Sequence, residues 1–198
     1  MPMASYLTIA APASAKFTEK MSRFIGFAYP AATVDEAKAC MAQLQREYCD
    51  ARHVCWAWSV GDAEAPETYS TDNGEPSGTA GRPILGQINS RGLHNVVVGV
   101  VRYFGGIKLG TPGLIAAYKL AAAMALDEAE IIERAETGLL ACTFAYPDLN
   151  RAMQVAKTPG VEIVDKTFDN TCTLTLRAPL SDLPALRGRL ATFATILP

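Results

Sequence analysis

Short runs of hydrophobic residues open the chain, and small residues or proline separate them. Residues 6–10, 15–19 and 22–29 each have the β-prone composition and the bounded length of a strand. Pro30 ends the third run, because proline has no N–H group to continue a strand pairing. The pattern therefore predicts a three-stranded start.

Helical spacing replaces this pattern after Pro30. Ala37, Met41 and Leu44 recur three and four residues apart, which places them on one face of a helix. Thr33 is a suitable N-cap, and a glutamate three residues later completes a capping box. We therefore expect a helix to begin just after Thr33.

A period of two returns at residues 53–60. One face of this predicted strand carries Val54, Trp56, Trp58 and Val60, and the other carries His53, Cys55, Ala57 and Ser59. The first face is apolar and is typical of a core face. The second face is small and polar, so we expect it either to face solvent or to line a cleft.

The middle of the chain alternates between turn-rich and apolar segments. Residues 61–78 are rich in turn formers and predict a long loop, followed by a helix that begins near Thr79. Residues 96–104 are an almost continuous apolar run, which is typical of a strand buried on both faces. After a glycine-rich turn, Thr111 and Pro112 predict the cap and first position of an alanine-rich helix.

A second unit is predicted from residue 137 onward. We expect strands at 139–146, 161–168 and 171–177, helices at 148–157 and 181–194, and a hairpin turn at Asp169 and Asn170. The order βαββα is most of a ferredoxin-like sandwich, whose fourth strand would be short or absent. The pattern as a whole predicts an α+β protein with domains at 1–134 and 137–198.

Composition narrows the functional classes. Hydrophobic residues make up 49% of the 198 positions, which is enough for a packed core. The net charge of −2 gives the whole protein no general attraction to nucleic acid or to an acidic membrane. The five cysteines include no Cys-x-x-Cys pair, which favours reduced thiols over a zinc site. Reduced thiols predict a cytoplasmic protein, and we expect no metal or cofactor. No apolar run approaches the roughly 20 residues of a membrane span, so we also expect no membrane partner.

Two glycine-rich segments carry candidate chemistry, and the first begins at Asp72. Its glycines, including Gly78, permit close approach of the backbone to a ligand, and Ser77 and Thr79 offer hydroxyl groups. With the free N–H groups of the following helix, this segment can hold an anion. Equally, it can be a tight connector in which Asp72 and Glu75 bond to their own backbone or cap the helix.

The second glycine-rich segment contains Gly105, Gly106, Lys108 and Gly110. A glycine-rich turn, one lysine and a helix N-terminus again suggest an anion site. The segment is not a P-loop, because Lys108 precedes the final glycine instead of following it. The alternative is a strand-to-helix turn with a solvated lysine.

His53 and Cys55 lie two residues apart on one strand face, where they are candidates for a base and a nucleophile. Side chains at this spacing stand roughly 7 Å apart, beyond hydrogen-bond reach, so structural packing is the competing interpretation. Arg102 lies on the predicted buried strand and needs a carboxylate partner there. Asp72 and Glu75 are the natural choices.

Five stretches of the chain resemble the signature of the YigZ/IMPACT family. They are the residues at 20–25, 51–57, 72–81, 101–110 and 113–118, within a matching region at 20–126. The resemblance implies a first domain like the second domain of ribosomal protein S5. It implies a ferredoxin-like second domain similar to the last domain of elongation factor G. The expected fold class is therefore a pair of α+β two-layer sandwiches.

The chain departs from the family pattern at three positions. Asn73 stands where an acidic residue is usual, which weakens any mechanism that needs two adjacent carboxylates. Pro112 stands where a glycine is usual. Ala116 stands where a basic residue is usual, which removes one expected phosphate contact.

The resemblance implies a binding and regulatory role in translation, since IMPACT proteins bind a regulator of the amino-acid-starvation kinase. The expected partner is RNA, the ribosome or a translation factor, and a phosphate-like ligand would bind in the first domain. The alternative is a small enzyme acting on a phosphorylated or peptide-like substrate. It would use Glu75 or His53 as base, Cys55 as nucleophile, and Arg102 and Lys108 as charge stabilisers. A scaffold without a ligand cleft is the third hypothesis.

Overall fold

The computed structural model describes residues 5–169 and 171–198. Their contacts divide the chain into two compact units, one from Tyr6 to Arg134 and one from Ala135 to Pro198, with Ser5 grouped with the second. Strands and helices are both well represented, so the α+β class predicted from the sequence is confirmed. Among the described residues, no helix is long and apolar enough to cross a bilayer.

Seven strands and three helices form the first unit. The strands are β1 Ser5–Ile9, β2 Ala13–Glu19, β3 Ser22–Pro30, β4 His53–Val60, β5 Glu67–Thr71, β6 Val96–Tyr103 and β7 Ile131–Ala135. The helices are α1 Val34–Glu47, α2 Gly81–Ser90 and α3 Gly110–Asp127. Five strands form one sheet in the order β2-β3-β6-β4-β5, and each neighbouring pair is antiparallel.

Two strands lie where none was predicted. β5 occupies the middle of the expected loop at 61–78, and β7 lies at the end of the predicted first domain. The predicted three-stranded start also separates in space, because β1 leaves the main sheet and pairs with β7. The pairing of β1 with β7 joins residues far apart in sequence, which local composition does not reveal, whereas β5 forms a hairpin with β4.

The capping signal predicted for α1 is confirmed. The N–H of Glu36 donates to Thr33 Oγ1 at 3.2 Å, and the Glu36 carboxylate accepts the N–H of Ala32 at 2.8 Å. The signal predicted for α3 is wrong, because this helix begins at Gly110 and its N-cap is Leu109, without a side-chain hydrogen bond. Thr111 therefore lies inside the first turn and does not cap it.

Helices cover both faces of the five-stranded sheet. α1 packs on one face, against a cluster that includes Val54, Trp58 and Val60 of β4. α2 and α3 pack on the other, in a cluster that includes Cys55 and Ala57. The first unit therefore has three layers where two were expected. The second face of β4, expected to face solvent or line a cleft, is core except at its end.

The second unit has the ferredoxin-like order βαββαβ. Its elements are β8 Thr137–Phe144, a 3-10 turn Tyr146–Asp148, α4 Leu149–Ala156, β9 Glu162–Thr167, β10 Cys172–Pro179, α5 Leu183–Leu190 and β11 Thr195–Ile196. The strands form an antiparallel sheet in the order β11-β8-β10-β9. The fourth strand is present and short, with two residues. β9 and β10 pair as predicted, and Asn170 of their predicted turn lies outside the described residues.

Candidate functional site

A cleft of about 430 Å³ opens at the end of the five-stranded sheet. Its polar lining includes Arg52, His53, Glu75, Arg102 and Lys108. Four of these side chains were candidates from the sequence, and three separate segments of the chain supply them. β4 begins at His53, β6 carries Arg102 near its end, and antiparallel pairing places the two residues opposite each other. The apolar lining is Pro76, Phe104, Leu109 and Leu114.

Glu75 is the centre of the polar network. Its side chain is only 4% exposed, and its Oε1 accepts hydrogen bonds from Arg102 Nη1 at 2.5 Å and from Tyr118 Oη at 2.8 Å. His53 Nε2 lies 3.9 Å from the same oxygen. The carboxylate partner expected for Arg102 is therefore Glu75 and not Asp72. A buried carboxylate with two donors is held firmly in place.

Tyr118 is a member of this network that sequence reasoning missed. It is fully buried on α3, and burial raises the pKa of its hydroxyl, with nearby Cys55 and Glu75 adding to the effect. The hydroxyl therefore stays protonated and donates to Glu75. The sequence offered one signal. Tyr118 is an aromatic residue with a polar group, in a helix whose other residues are mostly small or apolar.

Arg102 lies at the base of the cleft with part of its hydrogen-bonding capacity unused. Its side chain is 7% exposed, and its guanidinium lies 5.5 Å from the ring centre of Phe24 and 5.6 Å from that of Phe104. Nε is buried and has no hydrogen-bond partner among the described residues. A buried donor without an acceptor lowers the stability of the folded protein, so the position of this arginine has a local free-energy cost.

The first glycine-rich turn forms hydrogen bonds within itself. The carboxylate of Asp72 accepts the N–H groups of Gly78 at 2.7 Å, Ala80 at 2.9 Å and Gly81 at 2.8 Å. Asp72 therefore caps α2 from a distance and uses the donors that an anion would need. Of the two interpretations of this turn, the structure favours the self-bonded one.

Two further candidates from this turn also lie outside the cleft. Thr79 is buried, and its hydroxyl donates to the Pro76 carbonyl at 2.6 Å. Ser77 is exposed and does not line the cleft. The expected hydroxyl contacts with a ligand in the cleft are therefore not supported by the structure.

The connector instead positions the histidine. Asn73 carbonyl lies 3.1 Å from His53 Nδ1, and the Asn73 side-chain amide donates to Val54 carbonyl at 2.8 Å. Gly74 has a φ of +88°, and a side chain there would press on the His53 ring. Asn73, which departs from the family pattern, thus has a structural role. An ionised carboxylate at this position has no N–H group with which to donate the hydrogen bond to Val54.

The second glycine-rich turn does reach the cleft. Lys108 and Gly110 line it, whereas Gly105 packs against the backbone of Met21 and donates its N–H to Ser22 Oγ at 3.2 Å. Gly106 does not line the cleft. The N-terminus of α3 opens beside Lys108, and a helix N-terminus favours negative charge.

Positive charge predominates in the cleft. Arg52, Arg102 and Lys108 oppose one carboxylate, that of Glu75. Arg52 and Lys108 form no ion pair with any residue in the described ranges 5–169 and 171–198. The cleft can therefore accept an anion between two unpaired cations and a helix N-terminus.

Cys55 lies behind the cleft and is unsuited to nucleophilic chemistry. Burial raises the pKa of its thiol to about 12, and the interaction with the Tyr118 hydroxyl only partly offsets this. The thiol donates to Asp72 carbonyl at 2.9 Å and lies 3.5 Å from Tyr118 Oη. Since the thiolate is the reactive form, burial disfavours the cysteine nucleophile of the enzymatic hypothesis.

The two departures from the family pattern on α3 fall in different surroundings. Pro112 lies in the first turn, where its missing N–H removes one donor from the helix N-terminus. Ala116 lines a separate groove of about 280 Å³, together with Phe17, Lys20 and Leu120. The basic residue that is usual at this position would therefore lie in that groove and not in the cleft.

The fold and the site define an α+β protein of two compact units, with a cationic cleft in the first unit. Residues 20–126 match the family model described as Impact N-terminal domain. The chain belongs to the IMPACT family, as its motifs predicted.

The relatives of this chain are bacterial and eukaryotic. It is 35% identical to an IMPACT family member of Haemophilus influenzae over 178 residues, which cover 88% of this chain and 85% of that protein. It is 43% identical to the IMPACT family member YigZ of Escherichia coli over 117 residues, 59% of this chain and 57% of YigZ. The IMPACT homolog of Saccharomyces cerevisiae is 30% identical over 100 residues, 50% of this chain and 39% of the homolog.

A solved structure shares the complete fold. A crystal structure of a hypothetical protein superposes with a TM-score of 0.83 at 30% identity, covering 98% of this chain and 97% of the other. Both units therefore have counterparts in that protein.

Proposed function

We propose that this protein is a cytoplasmic binding protein of the translation system, and that the cleft of its first unit binds an anionic group of its partner. Family membership supports the translation role, because IMPACT proteins bind a regulator of the amino-acid-starvation kinase. A partner that suits a bacterial relative is RNA, a ribosomal component or a translation factor. Each of these carries phosphate or carboxylate groups that the cleft can accept.

One observation carries the anion site: His53, Glu75, Arg102 and Lys108 converge on a single cleft at the N-terminus of a long helix. Converging polar groups in a cleft of this size are the usual mark of a binding site. The net charge of the protein is −2, so attraction to an anion must be local to the cleft. Recognition of a defined group is therefore favoured over general adhesion to nucleic acid.

Phosphate binding is tested first with the purified protein. We expect inorganic phosphate and pyrophosphate at millimolar concentration to raise the melting temperature of the wild type, because a ligand of the folded state stabilises it by mass action. Lys108→Ala should reduce this shift. Lys119→Ala is a matched control, since Lys119 is exposed on α3 and does not line the cleft. Equal shifts in the wild type and Lys108→Ala would remove Lys108 from the site.

The translation role is tested in cell lysate. We expect the wild type to sediment with ribosomal fractions of a sucrose gradient at low salt, and the Lys108→Ala variant to shift toward the top. Phosphate contacts weaken steeply with salt, so the wild type should also shift as salt rises. Absence of the wild type from ribosomal fractions at every salt, with no RNA in a pulldown, would contradict the proposed role.

A further inference from the structure

We infer that the anionic group bound in the cleft is the phosphate of a nucleotide, and that the base of this nucleotide stacks on Phe104. The inference rests on the anion site proposed above and names the chemical class of its ligand. It depends on four features of the cleft: an exposed aromatic ring, an apolar wall, a carboxylate oxygen without a donor, and a buried arginine with an unused N–H.

Phe104 is placed as a stacking platform. It follows β6 directly, lines the cleft and is 48% exposed, so the core does not require its ring. The Arg102 guanidinium lies 5.6 Å from the ring centre, which combines a cation with an aromatic face. Aromatic rings beside cations are the usual platform for the bases of single-stranded nucleic acid.

The apolar wall shows that a simple ion would not complete the site. Leu109 and Leu114 line the cleft together with Pro76 and Phe104, at the same place as the cations. An inorganic anion at the α3 N-terminus would leave this apolar surface in contact with water. A ligand that carries both an anionic group and an apolar ring covers both parts, and the cleft volume of about 430 Å³ suits a small organic molecule.

Glu75 distinguishes a nucleotide from a ligand that has only acceptors. Both hydrogen bonds to this carboxylate are made to Oε1, and Oε2 receives none from the described residues. A carboxylate in a cationic cleft repels a bare anion but accepts an N–H or O–H group. Ribose hydroxyls and the exocyclic amines of bases supply such donors, so Glu75 can recognise the nucleoside while the cations bind its phosphate.

Arg102 provides a second and independent sign of a ligand. Its side chain is more than nine-tenths buried at the base of the cleft, and its Nε–H has no acceptor among the described residues. A buried charge is stabilised by a further negative group nearby, and the phosphate would supply it.

The experiment compares ligands that share a phosphate and differ in the base. Binding of inorganic phosphate, ribose 5-phosphate, adenosine monophosphate and a single-stranded RNA hexamer is measured by calorimetry. We expect adenosine monophosphate to bind at least tenfold more tightly than ribose 5-phosphate. Phe104→Leu should reduce the ratio of the two affinities to about one. Phe168→Leu is the matched control, because Phe168 is an exposed phenylalanine of the second unit.

Each outcome separates the ligand class from the anion site. Equal affinities of adenosine monophosphate and ribose 5-phosphate would overturn the nucleotide inference and leave the anion site standing. The same holds if Phe104→Leu keeps the preference for the base. If none of the three phosphate compounds and no hexamer binds, the nucleotide inference and the anion site are both overturned. A hexamer that binds more tightly than adenosine monophosphate identifies an RNA strand as the source of the nucleotide, and equal affinities identify the free nucleotide.

Discussion

Asp72 has a structural influence that extends well beyond its own turn. Its carboxylate accepts three backbone N–H groups, and two of them belong to the start of α2. Its carbonyl accepts the thiol of Cys55 at 2.9 Å. The turn that contains Glu75 is therefore fixed at both ends, which places the Glu75 carboxylate in the cleft. We expect Asp72 to contribute to stability and to the geometry of the site together.

Replacing Asp72 by Asn should lower the free energy of unfolding by about 1.5–3 kcal/mol, the range for a hydrogen bond to a charged group. The amide loses the negative charge and directs an N–H₂ group toward backbone donors. Urea denaturation measures the effect. Asp35→Asn on the first turn of α1 is the control and should change stability by about 0.5 kcal/mol or less. Equal effects of the two variants would show that Asp72 is not a special cap.

The same carboxylate gives a pH dependence with a definite sign. Burial alone raises the pKa of Asp72, but hydrogen bonds from Gly78, Gly81 and Ala80, with Arg82 nearby, outweigh it and lower the pKa from 3.8. A lowered pKa in the folded state means that the stabilisation is complete above pH 3.8 and is lost as the pH falls through the folded-state value. The stability difference between the wild type and Asp72→Asn should therefore shrink in that acidic range.

The thiol of Cys55 should be inert in the native protein. A pKa of about 12 leaves about one thiolate in ten thousand molecules at pH 8, and the side chain is buried. Iodoacetamide at pH 8 should modify the exposed Cys49 first, as read by mass spectrometry of the intact and digested protein. Modification of Cys55 as fast as Cys49 would restore the cysteine nucleophile.

At the scale of elements, the site depends on a strand, a connector and a helix that meet at one carboxylate. β6 supplies Arg102, the connector after β5 supplies Glu75, and α3 supplies Tyr118. The charged pair is almost fully buried, and removal of one partner would leave the other charge without compensation. Such pairs add little net stability but are expensive to break.

A double-mutant cycle on Glu75 and Arg102 tests this coupling. Arg102→Met should cost about 3–5 kcal/mol, because it leaves Glu75 buried without its counter-charge. The double variant Glu75→Gln with Arg102→Met should be more stable than the sum of the single effects allows, by at least about 1 kcal/mol. The exposed pair Arg177 and Glu162 serves as the control cycle and should give a coupling of about 0–1 kcal/mol. Additive effects at Glu75 and Arg102 would contradict the coupling.

For the whole molecule, the division into domains at 1–134 and 137–198 stays a prediction. Each unit has its own hydrophobic clusters, and residues of the second unit form a cluster without members from the first. The chain has little room for a linker, since β7 ends at Ala135 and β8 begins at Thr137. A short connection predicts slow cleavage between the units.

Limited proteolysis with proteinase K checks this organisation. We expect the first cut within residues 61–66, which precede β5 and belong to no strand or helix, and a later cut near Glu136. Fragments identified by mass spectrometry give the order of cleavage. A first cut inside β6 or β8 would contradict the assignment of these strands. Cleavage near Glu136 as the earliest event would contradict the short connection between the units.

The sequence predicted the features that depend on neighbouring residues. The Thr33 cap and the apolar run that became β6 are local signals, and both are confirmed. The family motifs also selected His53, Glu75, Arg102 and Lys108, which share the cleft. The local capping signal failed at Thr111, because α3 begins two residues earlier than predicted and has no side-chain cap.

Contacts between distant segments were decided only by the tertiary structure. Arg102 and Glu75 are 27 residues apart, Tyr118 and Glu75 are 43 apart, and periodicity carries no information about such pairs. Asp72 caps α2 because the chain after the turn brings the first N–H groups of this helix to its carboxylate. The sequence alone did not determine this path of the chain. The burial of both faces of β4 depended on helices before and after it in sequence. The sequence by itself determined the local structure and the chemical groups that are available, because these depend on neighbouring residues. Only the packing of the tertiary structure determined which of these groups contact one another and which remain open to a ligand.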